Sequence, residues 1–310
     1  QPSTNLNGGR GRGRLSRTQP IWRRSFRECG PELQPMNISV ISGSRADAGL
    51  LEWPLKCLRE DPFFDVAEVT IWGHTPAQAL QAMTDHLYNN TPDYVLLLGD
   101  RYEILSAAIA AHLQRIPIAH IGGGDVSQGS YDDAMRDCIS RVADLHFATS
   151  TAAADRLRSM GYLDVHLVGN PAVDFIRHAD WQRPRTSQDR YVVVAYFPET
   201  LNDVVDLDSV NKAIAGRNAI WISPNPDRGV DRIPPGHTFS HADFLNLLVY
   251  ADEFIGNSSA IFYEAPELGV KTTIIGKRQQ GRVIPFGDGK ATERIIGILK
   301  RNAPDTTPTV

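Results

Sequence analysis

The sequence predicts an α/β protein made of two Rossmann-like domains with a cleft between them, and three observations carry that expectation. Short β-rich apolar runs alternate with helical stretches from Met36 onward. The run Tyr94 to Leu98 is apolar throughout, as a strand buried on both faces is. The rhythm stops once, between His178 and Arg190, and then resumes. Strands alternating with helices build parallel sheets covered on both sides. A chain of 310 residues has room for two such units.

Taken in order, Ile38 to Ser42 is a strand ended by Gly43-Ser44, and Leu50 to Leu58 has helical spacing. Val66 to Trp72 is a second strand, stopped by Gly73-His74, and Ala77 to Leu87 is a helix. Tyr94 to Leu98 is too short for a helix and is bounded by Thr91-Pro92-Asp93 and Gly99. Ile104 to Leu113 is an Ala-rich helix. Pro117 to Ile121, Leu145 to Thr149 and His166 to Val168 complete the strands of the first half, with helices from Asp132 to Val142 and Ala152 to Met160 between them. The polar, Pro184-containing stretch 178–190 reads as the linker, so the first domain spans 36–177. The second spans 191–301. Its strands are Tyr191 to Tyr196, Ala219 to Ser223, Phe254-Ile255 and Thr272 to Ile275, and its helices are Val210 to Ala215, Phe244 to Tyr250, Ala260 to Leu268 and Ala291 to Leu299. Residues 302–310 read as a tail.

Composition narrows the function classes. No apolar run approaches the roughly 20 residues of a membrane span, and no secretory h-region is visible, so no membrane partner is expected. The three cysteines, Cys29, Cys57 and Cys138, lack CxxC-type spacing, which points to reduced thiols, a cytoplasmic setting and no metal framework. A net charge of −4 gives no general attraction to nucleic acid. Residues 1–35 are the exception. They hold seven arginines (Arg10, Arg12, Arg14, Arg17, Arg23, Arg24 and Arg27) against Glu28 and Glu32. They read either as a disordered basic arm that touches phosphates or, preferably, as a segment ahead of a natural start at Met36, because the apolar pattern begins abruptly at Ile38.

In parallel sheets ligands sit at the carboxyl ends of strands. Arg45, Asp47, His74, Asp100, Arg101 and Asp125 all follow strands. Gly256-Asn257-Ser258-Ser259 ends a strand and opens a helix, whose free N–H groups suit a phosphate, while Glu264 could accept both hydroxyls of a ribose; a serine N-cap beside a solvated glutamate is the plainer reading. Leu98-Gly99-Asp100-Arg101 places an acid and a base at a strand end, although a capping aspartate with a surface arginine looks the same. Gly122-Gly123-Gly124 lets backbone approach a ligand ahead of Asp125. Asp132 and Arg136 share a helical face, with Asp133 beside them, an arrangement that a surface ion pair also produces. His120 and His146 lie in apolar strands and read as packed residues. His112, His166, His178, His237 and His241 form no constellation.

Together these segments resemble the UDP-N-acetylglucosamine 2-epimerase family, in particular its hydrolysing branch. The matching stretches are Ser42 through Leu50, Leu98 through Glu103, Pro117 through Phe147, Val168 through Pro171, Pro224 through Asp227, Gly256 through Pro266 and Lys277 through Arg282. The resemblance implies the GT-B arrangement, with UDP held in the cleft mainly by the second domain. It also implies an anti-elimination that expels UDP and leaves 2-acetamidoglucal, followed by addition of water to give an N-acetylmannosamine-type sugar. That chemistry requires no cofactor and no metal. On this resemblance Asp100 is the catalytic aspartate, and Asp125, Asp132 and Asp133 are the other candidate acid/base groups. Arg45, Arg136, Asn225, Ser258, Ser259, Glu264, Arg278, Gln279 and Arg282 are the substrate contacts. A homo-oligomer, dimer or tetramer, is implied as well.

Several positions depart from the family pattern. Gly122 stands where the family has Glu or His, Asp125 where it has Glu, Arg136-Asp137 for an Arg-His pair, Phe197 for a His before proline, and Ala260-Ile261 for Ser-Gly. Three readings follow: a hydrolysing UDP-sugar 2-epimerase, a GT-B glycosyltransferase using a UDP-sugar, or a nucleotide-sugar binder without turnover.

Overall fold

A computed structural model describes residues 35–127, 130–179, 190–199, 201, 204–224, 229–278, 283 and 287–303. The basic segment 1–34, most of the expected linker and the last seven residues lie outside them, as do Asn225, Gln279 and Arg282.

The first sheet has six parallel strands: β1 (Met36–Ser42), β2 (Phe64–Thr70), β3 (Tyr94–Leu98), β4 (Ile118–Ile121), β5 (Leu145–Ala148) and β6 (Val165–Leu167). Their spatial order is β2-β1-β3-β4-β5-β6. All five residues of β3 are buried, as an all-apolar central strand requires. Helices α1 (Arg45–Glu60), α2 (Pro76–Asn90), α3 (Tyr102–Leu113), α4 (Asp132–Val142), α5 (Thr151–Ser159) and α6 (Pro171–His178) cover the two faces. Local chemistry sets their starts. Ser44 caps α1, and Thr75 with Gln78 forms a reciprocal capping box ahead of Pro76 on α2.

The second sheet has four parallel strands: β7 (Val192–Ala195), β8 (Ala219–Trp221), β9 (Glu253–Gly256) and β10 (Thr272–Ile274), in the order β10-β9-β7-β8. Helices α7 (Leu207–Ile214) and α8 (His241–Val249) accompany it. The stretch expected as one helix from Ala260 to Leu268 is divided. A single 3-10 turn spans Ser259–Ile261, and a four-residue α9 follows at Glu264–Glu267. Pro266 has no N–H to extend a helical ladder through this stretch.

The last helix, α10 (Ala291–Arg301), departs from the expected boundary. Its Ile295, Ile298 and Leu299 pack with Ile38, Leu51 and Leu96 in the core of the first sheet. The buried carboxylate of Asp174, on α6, explains its return. It accepts hydrogen bonds from the N–H groups of Ala291 (3.1 Å) and Thr292 (2.5 Å), satisfying two free donors at the start of α10.

Each sheet has one point where the strand order reverses, between β1 and β3 in the first and between β7 and β9 in the second. Crevices open at the carboxyl ends of strands at such points. Both open into the same cleft. Among the described residues no helix is long and apolar enough to cross a membrane, and no cluster of three His, Cys, Asp or Glu groups could hold a metal ion.

Candidate active site

The first wall of the cleft is built at the ends of β1, β3 and β4. After β3 the chain turns sharply at Gly99, whose φ of 94° favours glycine, and presents Asp100. The turn is pinned from behind by His120. One ring nitrogen lies 2.8 Å from the Gly99 carbonyl, which accepts, so Nε2 carries the proton, and Nδ1 faces the Ser140 hydroxyl at 3.1 Å. Burial pushes this imidazole down to about 4, so it is neutral and structural, as its apolar strand suggested.

Arg136 is the hub of this wall. It projects from α4, is 2% exposed, and is the largest fully buried side chain described. It donates to the Asp125 carbonyl (2.7 Å) and the Ser127 hydroxyl (2.9 Å), and it is ion-paired with both Asp100 and Asp133. The surrounding carboxylates hold its pKa above the ordinary arginine value despite burial. The i,i+4 partner expected from the sequence, Asp132, is not the one used. Asp132 accepts from Ser130 and lies 3.8 Å from Arg278. Asp133 is occupied by Arg136 and by the Ser127 N–H at 2.7 Å. Asp125 accepts from the Thr149 hydroxyl at 2.9 Å through Oδ1 and from the Tyr263 hydroxyl at 3.2 Å through Oδ2. A cavity of about 110 Å³ brings Asp100, Asp125 and Arg136 together with Gly122 and Asp47.

Asp47 was visible in the sequence only as one of several residues after a strand. It sits in the first turn of α1 and is 8% exposed, and its Oδ2 is buried without a hydrogen-bond partner. Loss of water around it, reinforced by the nearby Asp100, pushes its carboxyl up to about 7, against the pull of Arg101 and Ser44.

The second wall belongs to β7, β8, β9 and the turn after β9. A larger cavity, about 130 Å³, is lined by Arg45, Ser258, Ser259 and Glu264 among the aromatic rings of Phe197, Phe239 and Phe244. Gly256, with φ of 142°, passes so close to Ala195 that a Cβ there would meet its carbonyl. The next residue, Asn257, is fully buried. Its side chain accepts from the Phe197 N–H (2.7 Å) and donates to the Phe197 carbonyl (2.8 Å), clamping the ends of β7 and β9 together. Ser258 caps the 3-10 turn by accepting from Ala260 N–H. Glu264 is buried with Oε2 unpartnered, and the His241 ring stands 3.5 Å from its Oε1. His241 packs on Phe175 with ring centroids 4.7 Å apart, in space that only the absence of a side chain at Gly49 leaves open. Arg278 donates to the Pro198 carbonyl (2.8 Å) and lies 5.3 Å from the Phe197 ring.

The two cavities share Ala46, Leu50, Ser259 and Tyr263, so they form one groove. Among the described residues, polar contacts that join its two sides include Arg45 to the Ser223 carbonyl at 3.3 Å and Tyr263 to Asp125, with Arg278 beside Asp132 nearby. A groove between two parallel sheets, charged at one end and aromatic with unpartnered polar atoms at the other, is the kind of concave site in which a ligand can be held across two domains.

Comparison with known proteins makes the class specific. Residues 60–284 match the family described as UDP-N-acetylglucosamine 2-epimerase, and the chain belongs to that family. It is 31% identical over 246 residues to polysialic acid biosynthesis protein P7 of Escherichia coli, covering 68% of this chain and 61% of that protein. It is 28% identical to the UDP-N,N'-diacetylbacillosamine 2-epimerase (hydrolyzing) of Legionella pneumophila, covering 85% of this chain and 95% of that one. The fold is that of the S. aureus MnaA–UDP complex, with a TM-score of 0.72 at 18% identity over 86% of this chain and 96% of that chain. It is equally that of the Methanocaldococcus jannaschii UDP-GlcNAc 2-epimerase in complex with UDP-GlcNAc and UDP, with a TM-score of 0.71 at 18% identity over 86% and 99%. The two-domain α/β architecture expected from the strand and helix rhythm is thus the architecture found.

Proposed function

We propose that this chain is a hydrolysing UDP-sugar 2-epimerase, which expels UDP from a UDP-N-acetylglucosamine-type substrate and adds water to give the C2 epimer. The observation that carries the reading is the single groove, in which the Asp100–Arg136–Asp125 cluster adjoins the Ser258, Ser259 and Glu264 pocket. The names of relatives, one of them a hydrolysing 2-epimerase, support the same direction. In this reading the aromatic end takes the base and Glu264 accepts from the ribose hydroxyls. Arg45 and the two serines meet the diphosphate, whose growing charge on departure needs donors. Arg136 holds Asp100 as a carboxylate, the form that can take the C2 proton. The C2–H pair becomes the C1=C2 double bond, and the C1–O pair leaves with UDP. Of the three candidate partners, Asp125 lines the same cavity as Asp100, whereas Asp132 and Asp133 are bound into the α4 network. Reduced cysteines and the family's chemistry suit a cytoplasmic enzyme, and the resemblance suggests a homo-oligomer.

Gly122 and Phe197, which replace family acid/base positions, favour a second reading, a nucleotide-sugar binder without turnover. An NMR time course with UDP-N-acetylglucosamine separates the two. Free UDP and an N-acetylmannosamine signal are expected from the wild type. Asp100→Asn is expected to lower the rate by about 10²–10⁴-fold while still binding UDP. UDP binding by the wild type with no free sugar or UDP released would favour the binder.

A further inference from the structure

Gly122 stands where the family has an acid/base side chain on the wall of the reacting cavity, and another carboxyl group, that of Asp47, lines the same cavity. A Cβ added at Gly122 would find nothing nearer than the Gly99 nitrogen, at 4.0 Å. The Asp47 carboxylate lies on the same side of the Gly99 turn, since a Cβ built at Gly99 would be 3.6 Å from Asp47 Oδ1. Both glycines and Asp47 line the cavity that holds Asp100. Asp47 reaches this spot from a different βα turn, placed there by the Ser44 cap, whose hydroxyl accepts from the Asp47 N–H at 3.2 Å.

On the reading given above, we propose that Asp47 is a catalytic acid of this site, the group that delivers the proton to C2 when water adds. Its chemistry is complementary to that of Asp100. Asp100 is paired with a buried guanidinium, which favours the charged carboxylate. Asp47 has an orphan buried oxygen, an arrangement that an ionised carboxylate tolerates poorly and a protonated one tolerates well. Burial is the largest influence on it and favours the protonated form; of the charged groups that act on it, Asp100 and Glu103 act in the same direction and Arg101 opposes them. Two carboxyl groups driven to opposite protonation states make an acid and a base of one residue type.

The proton count closes. In elimination Asp100 takes the C2 proton and UDP leaves with the C1–O pair. In addition the water oxygen bonds to C1, the π pair of the glycal takes the Asp47 proton at C2, and the surplus proton of the attacking water returns to Asp47. The proton on Asp100 is released to solvent, so both groups end as they began.

The half-reactions test this separately. Asp47→Asn keeps the size of the side chain and removes the proton. With 2-acetamidoglucal and UDP supplied directly, hydration to the free sugar is expected to slow by about 10²–10⁴-fold, and UDP-N-acetylglucosamine is expected to yield accumulating glycal, with UDP affinity unchanged. The wild-type hydration rate is expected to fall as pH rises through about 7, the range where Asp47 loses its proton, a limb the Asn variant lacks. Asp47→Glu, which retains the acid, is expected to recover part of the rate and the alkaline limb. Hydration by Asp47→Asn at the wild-type rate, or an unchanged pH limb, overturns the proposal. Carbon-13 titration of labelled aspartate carboxyl groups reads the proton without turnover. A signal moving near neutral pH that disappears in Asp47→Asn is expected, and its absence from the wild type overturns the proposal even if no UDP-sugar is turned over. A wild type that shows the titrating signal but neither releases UDP nor hydrates the glycal overturns the epimerase reading and with it the catalytic role.

Discussion

On the first sheet's side of the cleft, one buried guanidinium is ion-paired with two carboxylates and donates to the backbone carbonyl of a third acidic residue, and every acid on α4 already has a partner. On the second sheet's side, one buried carboxylate faces a single imidazole at 3.5 Å, and both keep atoms without hydrogen bonds. On the proposed function, the difference is one of readiness. A wall that must direct protons needs its charges fixed before substrate arrives, because the benefit of a preorganised site is that nothing reorganises during the reaction. A wall that must grip a nucleotide needs acceptors and donors held open for the ligand to satisfy. Asn257 supplies the rigidity there instead, by locking backbone to backbone.

The sharpest way to break this contrast is Arg136→Met. It takes the shared guanidinium away from Asp100 and Asp133 and puts a side chain of similar length in its place. Removing one member of a buried ion cluster costs about 3–5 kcal/mol, because the remaining charge stays buried. Urea denaturation should show a lower midpoint with an unchanged slope, and activity should be lost with it. A loss below about 1 kcal/mol, the range of surface pairs, would show that the first wall is less buried in solution than its geometry implies. A smaller effect is expected from Glu264→Gln on the other wall. The variant keeps shape but gives up one acceptor, so UDP affinity by calorimetry should fall about tenfold, or about 1.4 kcal/mol, with little change in folding stability. A variant that binds UDP normally but turns over slowly would move Glu264 to the reacting side and undo the division of labour.

Much of this frame was legible from residues alone, and what was missed has a common physical origin. β3 could be read outright, because an all-apolar run of five fits only a central strand. Asp100 and Asp125 could be placed at strand ends, and hence at one rim of the cleft. Asp47 gave no sign of its depth. Ser44-x-x-Asp47 is the pattern of an ordinary solvated helix start, and the Gly99 turn that shares its cavity belongs to another βα unit, over fifty residues away. His241 looked isolated because its neighbour Glu264 lies on a different element and the space it fills is made by Gly49 in the other domain. The spacing of α10 was readable, but the sheet it covers was not. That choice depends on Asp174, which offers its carboxylate to the start of the helix from across more than a hundred residues. In each case the local pattern predicted the element, and a contact distant in sequence decided its surroundings.

The mildest perturbation tests whether the two walls act separately or as one. Tyr263 immediately precedes α9 on the second wall, yet its hydroxyl donates to Asp125 on the first. Tyr263→Phe removes the hydroxyl that makes that bond, a change of about 0.5–1.5 kcal/mol for a single hydrogen bond. If the bond only tidies a side chain, the effect should fall on turnover through Asp125 and leave UDP binding alone. If it ties the walls together, UDP affinity should weaken as well, by roughly two- to tenfold on the same scale, although the phenol touches neither Ser258 nor Glu264 through any hydrogen bond described. A double-mutant cycle with Asp125→Asn isolates the term. A coupling of about 1 kcal/mol in UDP binding is the expected result, and a coupling of zero would mean that nucleotide recognition and proton transfer share a groove without sharing energy. The expectation of coupling rests on geometry. Tyr263 and Ser259 line both cavities, so a ligand spanning the groove must settle against the side chain that already joins its two sides.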